Sequence, residues 1–308
     1  MSGRHFRFGV QLRGAGSGHE WREKCRRVEA LGYDTLLVAD HFPRGLGPFA
    51  ALATAAAVTD RIRVGTFVFA NDFRHPAVLA KEAATIDLLS VGRFEVGIGA
   101  GWLRSEYEAT GIPFDRAGVR IDRLAEAIPL IKRLWTEDNV TAQGPFYQVN
   151  DLSITPRPVQ APYPPLLVGG GGQRILSLAA RHADIVGLNP RATPEGTPDH
   201  RDITAGITAQ KLTWVRHAAG ERFPDLELNI VVLRIVPTDD REAAAHHLAQ
   251  ELHLTPDEVL ASPHVLLGTP DEMADEIRRR RSRYGISYIT VTEDGLEPFA
   301  PVIERLDR

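Results

Sequence analysis

The chain has 308 residues, of which 43% are hydrophobic and 25% charged, a composition typical of a globular protein with a substantial core. The 40 acidic residues outnumber the 36 basic ones, whereas a protein that binds the phosphate backbone of nucleic acid carries a basic surplus. Cys25 is the only cysteine, which excludes an intramolecular disulfide and a cysteine-rich zinc site.

The sequence contains no run close to the ~18 uninterrupted apolar residues of a membrane span. The start of the chain, Met1 to Val10, lacks the apolar core of a signal peptide. We therefore expect a soluble protein of the cytoplasm that acts on a small molecule and binds neither nucleic acid nor membrane.

Short apolar runs alternate with amphipathic helical patterns along the whole chain. Several of the runs are nearly continuous rather than alternating, as is typical of parallel strands covered on both faces. The helical patterns include His19–Leu31, Pro48–Val58, His75–Leu89 and Arg116–Trp135. The predicted strands are, in order, Phe6–Leu12, Thr35–Ala39, Arg63–Ala70, Arg93–Gly99, Pro165–Gly169, Ala183–Leu188, Glu227–Val236 and Ser287–Thr292.

Repeated strand–helix alternation predicts the α/β class and a single-domain (β/α)8 TIM barrel over residues 1–308. This fold usually takes about 250 residues, so we place insertions near 102–115, 140–165 and 190–226. A doubly wound open sheet would also alternate, but its glycine-rich phosphate turn normally follows the first strand. Here the glycine-rich segments follow the fourth and fifth strands, which favours the barrel.

In a barrel the chemistry lies at the carboxyl ends of the strands. The second predicted strand runs into Asp40 and His41, and two such polar side chains are costly beside a buried strand unless they are solvated or paired. One interpretation is a helix-capping Asp and a surface His. The other is that Asp40 accepts a hydrogen bond from a ligand while His41 acts as acid, base or charge stabiliser.

The third strand ends in Phe67, Val68, Phe69 and Ala70, followed by Asn71. These residues are compatible with a strand that runs into a turn, and equally with an apolar shelf for a planar ring. The sequence alone does not separate the two.

The fourth strand ends in Gly97-Ile98-Gly99-Ala100-Gly101-Trp102. This resembles a dinucleotide-binding fingerprint, but Trp102 stands where the third glycine is required and the segment does not follow the first strand. We reject that fingerprint. The alternating glycines still allow close approach of backbone to a packed element or a flat ligand.

The fifth strand ends in four glycines, 169–172, before an apolar helical segment. A helix that begins after glycines offers free backbone N–H groups and the positive end of its dipole to an anion. A flexible linker is the alternative. No Gly-Lys-Ser or Gly-Lys-Thr follows, which excludes a nucleoside-triphosphate loop. We predict a phosphate site here and no metal site, because no His-Glu-x-x-His occurs and His246 and His253 are better explained as solvated.

These motifs together resemble the luciferase-like flavin and deazaflavin oxidoreductases, and the F420-dependent subfamily in particular. The most specific part is Asp87–Trp102, with its Leu-Ser-x-Gly-Arg segment and trailing glycines. The resemblance extends to Asp40–Pro43, Arg74–Pro76, Glu106-Tyr107, Pro165–Gly172 and Gly268–Met273. It implies a TIM barrel with insertions that binds either FMN or coenzyme F420 in its mouth, and a homodimer formed through barrel helices.

By position, the resemblance implies that Asp40 contacts the cofactor ring and that Phe67 and Val68 form a bulge behind it, often with a non-prolyl cis peptide. The other cofactor-binding residues that it implies are Ala70, Asn71, Ala100, Gly101 and Ser105 around the ring and Gly170, Gly171 and Gly172 at the phosphate. The chain departs from the F420-dependent sugar-phosphate dehydrogenases, which carry Trp where Arg44 stands and Glu where Trp102 stands. We therefore do not expect sugar-phosphate oxidation.

The activity implied is hydride transfer between F420 and a small organic substrate, with His41 as the catalytic residue that donates or stabilises the proton. The sequence leaves two alternative functions open. One is an FMN-dependent two-component monooxygenase, and the other is a catalytically silent flavin-binding relative.

Overall fold

The computed structural model describes residues 4–193, 197 and 199–306. Its strands are β1 (Arg7–Leu12), β2 (Thr35–Val38), β3 (Arg63–Thr66), β4 (Phe69–Ala70), β5 (Phe94–Gly99), β6 (Val140–Gln143), β7 (Gln148–Leu152), β8 (Leu166–Gly170), β9 (Ile185–Leu188), β10 (Glu227–Val232), β11 (Arg234–Pro237), β12 (Val265–Gly268) and β13 (Tyr288–Thr292). Its α-helices are α1 (Gly18–Ala30), α2 (Pro48–Val58), α3 (Pro76–Leu89), α4 (Arg104–Thr110), α5 (Ala117–Thr136), α6 (Gln173–His182), α7 (Ala205–Ala219), α8 (Arg241–Leu252), α9 (Pro256–Ala261), α10 (Pro270–Tyr284) and α11 (Leu296–Ile303).

Parallel strands close into a barrel in the order β1, β2, β3, β5, β8, β9, β10 and β13, and β13 pairs back with β1. Val10 of β1, for example, lies opposite Leu36 on one side and Val291 on the other. β4 continues the third barrel strand and also pairs with β5. The predicted (β/α)8 barrel is therefore confirmed.

Two predicted strands are divided in the structure. Arg63–Ala70 is interrupted between β3 and β4, where the peptide bond between Phe67 and Val68 is cis. Glu227–Val236 separates into β10, which stays in the barrel, and β11, which leaves it to pair with β12. The sequence pattern did not separate β10 from β11 because the apolar run continues across the break.

The regions expected to hold insertions contain elements of their own. Residues 102–115 contain α4, and residues 140–165 contain the antiparallel hairpin of β6 and β7. Residues 190–226 contain α7 and two short 3₁₀ segments, while 194–196 and 198 lie outside the described residues. The division of 1–308 into one domain with these insertions stays a prediction.

The N-terminal end of the barrel is filled by a buried ionic network. Arg7, the first residue of β1, donates to Glu95 and to Glu227, each at 2.5 Å. Tyr288, the first residue of β13, donates to Glu95 at 3.1 Å, and its ring centre lies 4.3 Å from the guanidinium of Arg7. Burial raises the pKa of Glu227, against the opposing attraction of Arg7. This end of the barrel is thus closed by paired charges.

An apolar cluster follows this network along the barrel axis. It consists of Leu37, Phe67, Leu167, Ile185, Val231 and Tyr288. Five of these side chains come from β2, β8, β9, β10 and β13, and Phe67 lies between β3 and β4. They pack together inside the barrel, as the alternation of side chains along a β-strand allows. The cluster separates the ionic end from the opposite end, where the strands finish.

In the part of the chain that the structure describes, every helix is too short or too polar to cross a lipid bilayer.

Candidate active site

Glycines line the C-terminal end of the barrel, and Val68 covers them. A Cβ added at Gly99 would lie 2.8 Å from Cγ2 of Val68, and one at Gly97 would lie 3.1 Å from Cγ1. Phe67 points into the apolar cluster, and its carbonyl accepts a hydrogen bond from Gln11 at 3.2 Å. Val68 therefore forms a small apolar platform that only glycine neighbours allow.

His41 is held by a buried carboxylate at the rim of this mouth. Nδ1 of His41 lies 2.8 Å from Oε1 of Glu106, and the same oxygen accepts the backbone N–H of Phe42 at 3.2 Å. The Glu106 side chain is 3% exposed and that of His41 is 15% exposed. Because a carboxylate only accepts, Nδ1 carries the hydrogen, and Nε2 is the ring nitrogen left to exchange a proton with a ligand.

The sequence predicted His41 as a site residue but did not predict its contact with Glu106. Glu106 was noted as part of a family motif, yet nothing in the pattern placed it against a residue 65 positions earlier. An acidic residue in the first turn of a helix is normally explained by the helix dipole. The pairing depends on α4 folding back over the end of β2.

The carboxylate of Asp40 is already paired within the protein. It accepts hydrogen bonds from both terminal nitrogens of Arg74, at 2.6 and 3.0 Å, and from the backbone N–H of Ala70 at 3.0 Å. Asp40 is buried, so this bidentate pair fixes the end of β2 to the residues after β3. A contact between Asp40 and a cofactor ring stays a prediction, and it would use the remaining acceptor capacity of the carboxylate.

The other residues predicted around the ring differ in their surroundings. Asn71 is buried and donates to the hydroxyl of Tyr147 at 2.9 Å. Gly101 has φ +74°, and a Cβ there would overlap the hydroxyl of Tyr107, so both backbone and packing require glycine. Ala70 and Ala100 are buried beside these residues, whereas Ser105 is exposed on α4.

The four-glycine segment serves mainly for packing. A Cβ at Gly169 would lie 2.9 Å from Nδ2 of Asn189, and one at Gly171 would lie 2.5 Å from the backbone nitrogen of Arg191. At Gly170 it would overlap Ile175. Gly172 is different, because it precedes α6 and has open space where a side chain would stand. Among the three glycines predicted to contact the phosphate, Gly170 and Gly171 are required by close packing, whereas Gly172 is not.

Asn189, which directly follows β9, was not predicted as a site residue. Its side-chain Oδ1 is buried and has no hydrogen-bond partner among the residues that the structure describes. Its backbone carbonyl accepts the ammonium of Lys211 at 2.8 Å, and that ammonium also pairs with Asp202 at 2.5 Å. Burial lowers the pKa of Lys211. The backbone of Asn189 is thus held by Lys211, while its side-chain oxygen lies buried at the end of β9 with no donor among the described residues.

Within the most specific part of the family resemblance, the first portion, Asp87–Arg93, lies away from this site, whereas the glycines that follow it line the mouth. Asp87 accepts the backbone N–H groups of Val159 and Gln160, at 2.7 and 3.0 Å. Arg93 donates to the carbonyls of Ala56 and Ile62, each at 2.7 Å. These contacts join α3 to the segment before β8 and α2 to the start of β5, so this part of the motif is structural. Across residues 4–193, 197 and 199–306, His, Cys, Asp and Glu form no cluster of three or more that could hold a metal ion.

The chain is similar in sequence to known enzymes of two kinds. Over 168 residues the chain is 38% identical to the F420-dependent glucose-6-phosphate dehydrogenase of Intrasporangium calvum, covering 51% of this chain and 50% of that enzyme. Over 169 residues it is 34% identical to the FMNH2-dependent dimethylsulfone monooxygenase of Pseudomonas putida, covering 53% and 46%. The chain therefore spans about half the length of these curated relatives.

The same fold is found in the coenzyme F420 dependent tetrahydromethanopterin reductase of Methanopyrus kandleri, with a TM-score of 0.78 and 16% identity over 98% of this chain and 99% of that one. The sequence profile of the luciferase-like monooxygenases matches residues 5–281. The family predicted from the motifs is therefore confirmed, and the chain belongs to the luciferase-like monooxygenase family.

Proposed function

We propose that this protein is an oxidoreductase that binds coenzyme F420 in the barrel mouth and catalyses hydride transfer between it and a small organic substrate. The observation that carries the proposal is the buried His41–Glu106 pair at the rim of a glycine-lined mouth. The F420-dependent relative supports this choice of cofactor.

The residues of the mouth fit a flat, phosphorylated cofactor. Val68 and the glycines below it offer a surface for a planar ring, and Oδ1 of Asn189 offers an acceptor that needs a donor. Gly172 and the first turn of α6 offer backbone N–H groups to a phosphate. When bound, the deazaflavin supplies the hydride chemistry.

His41 and Glu106 account for the proton that accompanies the hydride. With Nδ1–H bound to Glu106, Nε2 of His41 takes up or releases the proton of the substrate. The Glu106 carboxylate holds the ring in this tautomer and balances the charge of the imidazolium form. Because Glu106 is buried, this interaction is weakly screened by water.

A second candidate function is that of an FMN-dependent two-component monooxygenase. It is favoured by the family to which the chain belongs and by the FMNH2-dependent relative. FMN would use the same platform and the same helix terminus, so the two cofactors must be separated by experiment. A catalytically silent flavin-binding relative remains the third candidate, and retention of the His41–Glu106 pair argues against it.

The test is to titrate the protein separately with F420 and with FMN and follow cofactor fluorescence. We expect saturable binding of F420 and weaker binding of FMN. Binding of FMN without binding of F420 would overturn the choice of cofactor and favour the monooxygenase.

For the histidine, we expect His41→Ala to bind F420 as the parent does but to lose about 100-fold in turnover, because general acid–base catalysis contributes 10²–10⁴-fold. Turnover is measured with F420 and a panel of small alcohols, aldehydes and enones. His246→Ala is the matched control, because His246 is exposed on α8. Turnover by His41→Ala at the parent rate would remove His41 from the mechanism.

A further inference from the structure

Two large apolar side chains are exposed on either side of His41. Phe42 is 57% exposed and Trp102 is 38% exposed, although side chains of this kind are usually buried. The Trp102 ring meets the His41 ring edge to face, with centroids 5.9 Å apart and an interplanar angle of 87°. The exposed aromatic surface is therefore continuous with the proton-exchanging residue.

The Phe42 ring is held in place by the protein beneath it, and the Trp102 ring rests against His41. The Phe42 ring lies 4.8 Å from Phe73, and Phe73 lies 5.3 Å from the fully buried Tyr107. The hydroxyl of Tyr107 donates to Asp72 at 3.2 Å. The backbone N–H of Phe42 is also fixed by Glu106. An exposed ring with this much support costs little entropy when it binds a ligand.

The two carboxylates next to the rings are already paired within the protein. Asp40 is paired with Arg74, and Glu106 is hydrogen-bonded to His41. Arg44 is the nearest cation along the chain from Phe42, and it is exposed. The carboxylates beside the two rings are thus paired within the protein, Arg104 lies 3.8 Å from Glu108, and Arg44 is the exposed cation whose contribution Arg44→Ala removes.

We propose that Phe42 and Trp102 form the substrate-binding wall of the site and that the substrate presents an uncharged apolar chain or ring to it. The proposal rests on the proposed function for the position of the reacting group. It extends that function by naming the substrate class and two residues that determine specificity. A phosphorylated substrate would instead need cations where these rings stand.

The test uses the protein loaded with F420 and the secondary alcohols 2-propanol to 2-heptanol. Each added CH2 that is buried favours binding by about 0.8 kcal/mol, or roughly fourfold. We expect the KM of the parent to fall by a factor of two to four per CH2. In Trp102→Glu and Phe42→Ala this dependence on chain length is lost, while Trp102→Leu, which keeps an apolar side chain, retains most of it.

A second readout does not depend on turnover. Saturation-transfer NMR on the F420-loaded protein reports which protons of 2-heptanol contact the protein. We expect strong transfer to the alkyl chain in the parent and in Trp102→Leu, and weak transfer in Trp102→Glu. Arg44→Ala is the control for charge, and it should leave both readouts unchanged.

The outcomes separate this inference from the proposed function. Failure of the parent to bind F420 would overturn the proposed function. Normal F420 binding with no dependence of KM or of alkyl saturation transfer on chain length would overturn the aromatic wall alone. The wall is also overturned if Arg44→Ala weakens alcohol binding as much as Trp102→Glu does, because the substrate would then be recognised by charge.

Discussion

The two ends of the barrel use their interior in opposite ways. At the N-terminal end, the buried carboxylates of Glu95 and Glu227 are both paired with the half-buried Arg7. At the C-terminal end, glycines take the place of side chains, and Oδ1 of Asn189 has no hydrogen-bond partner within the described part of the chain. The ionic network at one end is therefore paired within the protein, whereas the mouth at the other end has a polar atom and open space that a ligand could fill.

The contrast indicates which positions should affect the stability of the fold and which should affect ligand binding. Buried charges that are fully paired contribute to a defined fold, because removal of one partner leaves the other unpaired in a medium of low dielectric. Small side chains and unpartnered polar atoms contribute little to stability, but they are what a binding site requires. Substitutions at the two ends should consequently give different phenotypes.

The largest expected effect is at the N-terminal end. Glu95→Ala removes the carboxylate that accepts from both Arg7 and Tyr288, so we expect a loss of about 3–5 kcal/mol in the free energy of unfolding. The measurement is urea unfolding followed by circular dichroism, with F420 affinity of the folded fraction expected to stay at the parent value.

The matched control for Glu95 is an ion pair of the same charge type on the surface. Glu23 pairs with Arg26 at 2.6 Å, with both side chains about half exposed. Glu23→Ala should cost less than about 1 kcal/mol. Equal losses from the two substitutions would show that the buried network contributes no more than a surface pair.

A smaller effect is expected when the pH is lowered, and it arises at His264. This imidazole is fully buried beside the end of β10, where Nδ1 lies 2.7 Å from the carbonyl oxygen of Val231. Burial, together with the charge of Lys211, lowers the pKa of His264 to about 3. The folded state thus holds His264 neutral, in contrast to the charged groups at the other end.

The folded pKa lies below the value of about 6.5 that His has when unfolded, so protons bind preferentially to the unfolded chain. The stability that His264 contributes is complete above pH 6.5 and is lost as the pH falls towards 3. Between pH 7 and pH 4 we expect a loss of about 3 kcal/mol from this group. Urea unfolding across this range in the parent and in His264→Gln checks it, and parallel pH profiles for the two proteins would contradict it.

The barrel could be predicted from the sequence because its signal is local and repeated. Continuous apolar runs mark buried parallel strands, and several of the helices were predicted by their spacing and by residues such as Pro48 at the first turn of α2. The departure of β11 from the barrel was not predictable, because nothing local distinguishes a strand that pairs in the ring from one that pairs with β12 outside it.

The site residues stay predictions, and the sequence indicated them only where a single position carries the signal. His41 was identified by its place after a strand, whereas its pairing with Glu106 depends on how two distant segments meet. The same holds for Asn189, whose isolated oxygen is a property of the folded mouth. Glycine was informative but ambiguous, because Gly171 and Gly172 look alike in sequence and differ in what surrounds them.

The smallest expected effects distinguish these two glycines and so test the proposal that the segment before α6 binds the cofactor phosphate. Gly171→Ala places a methyl 2.5 Å from the backbone nitrogen of Arg191, and we expect overpacking to cost about 1–3 kcal/mol of unfolding free energy.

Gly172→Ala has open space and an ordinary φ of −95°, so the loss of unfolding free energy should stay within about 1 kcal/mol. Its methyl would instead stand beside the N–H groups of α6 and weaken F420 binding by roughly tenfold, or one lost hydrogen bond. If Gly172→Ala bound F420 as tightly as the parent in a fluorescence titration, the cofactor phosphate would have to lie elsewhere, and the glycines of this segment would be explained by packing alone.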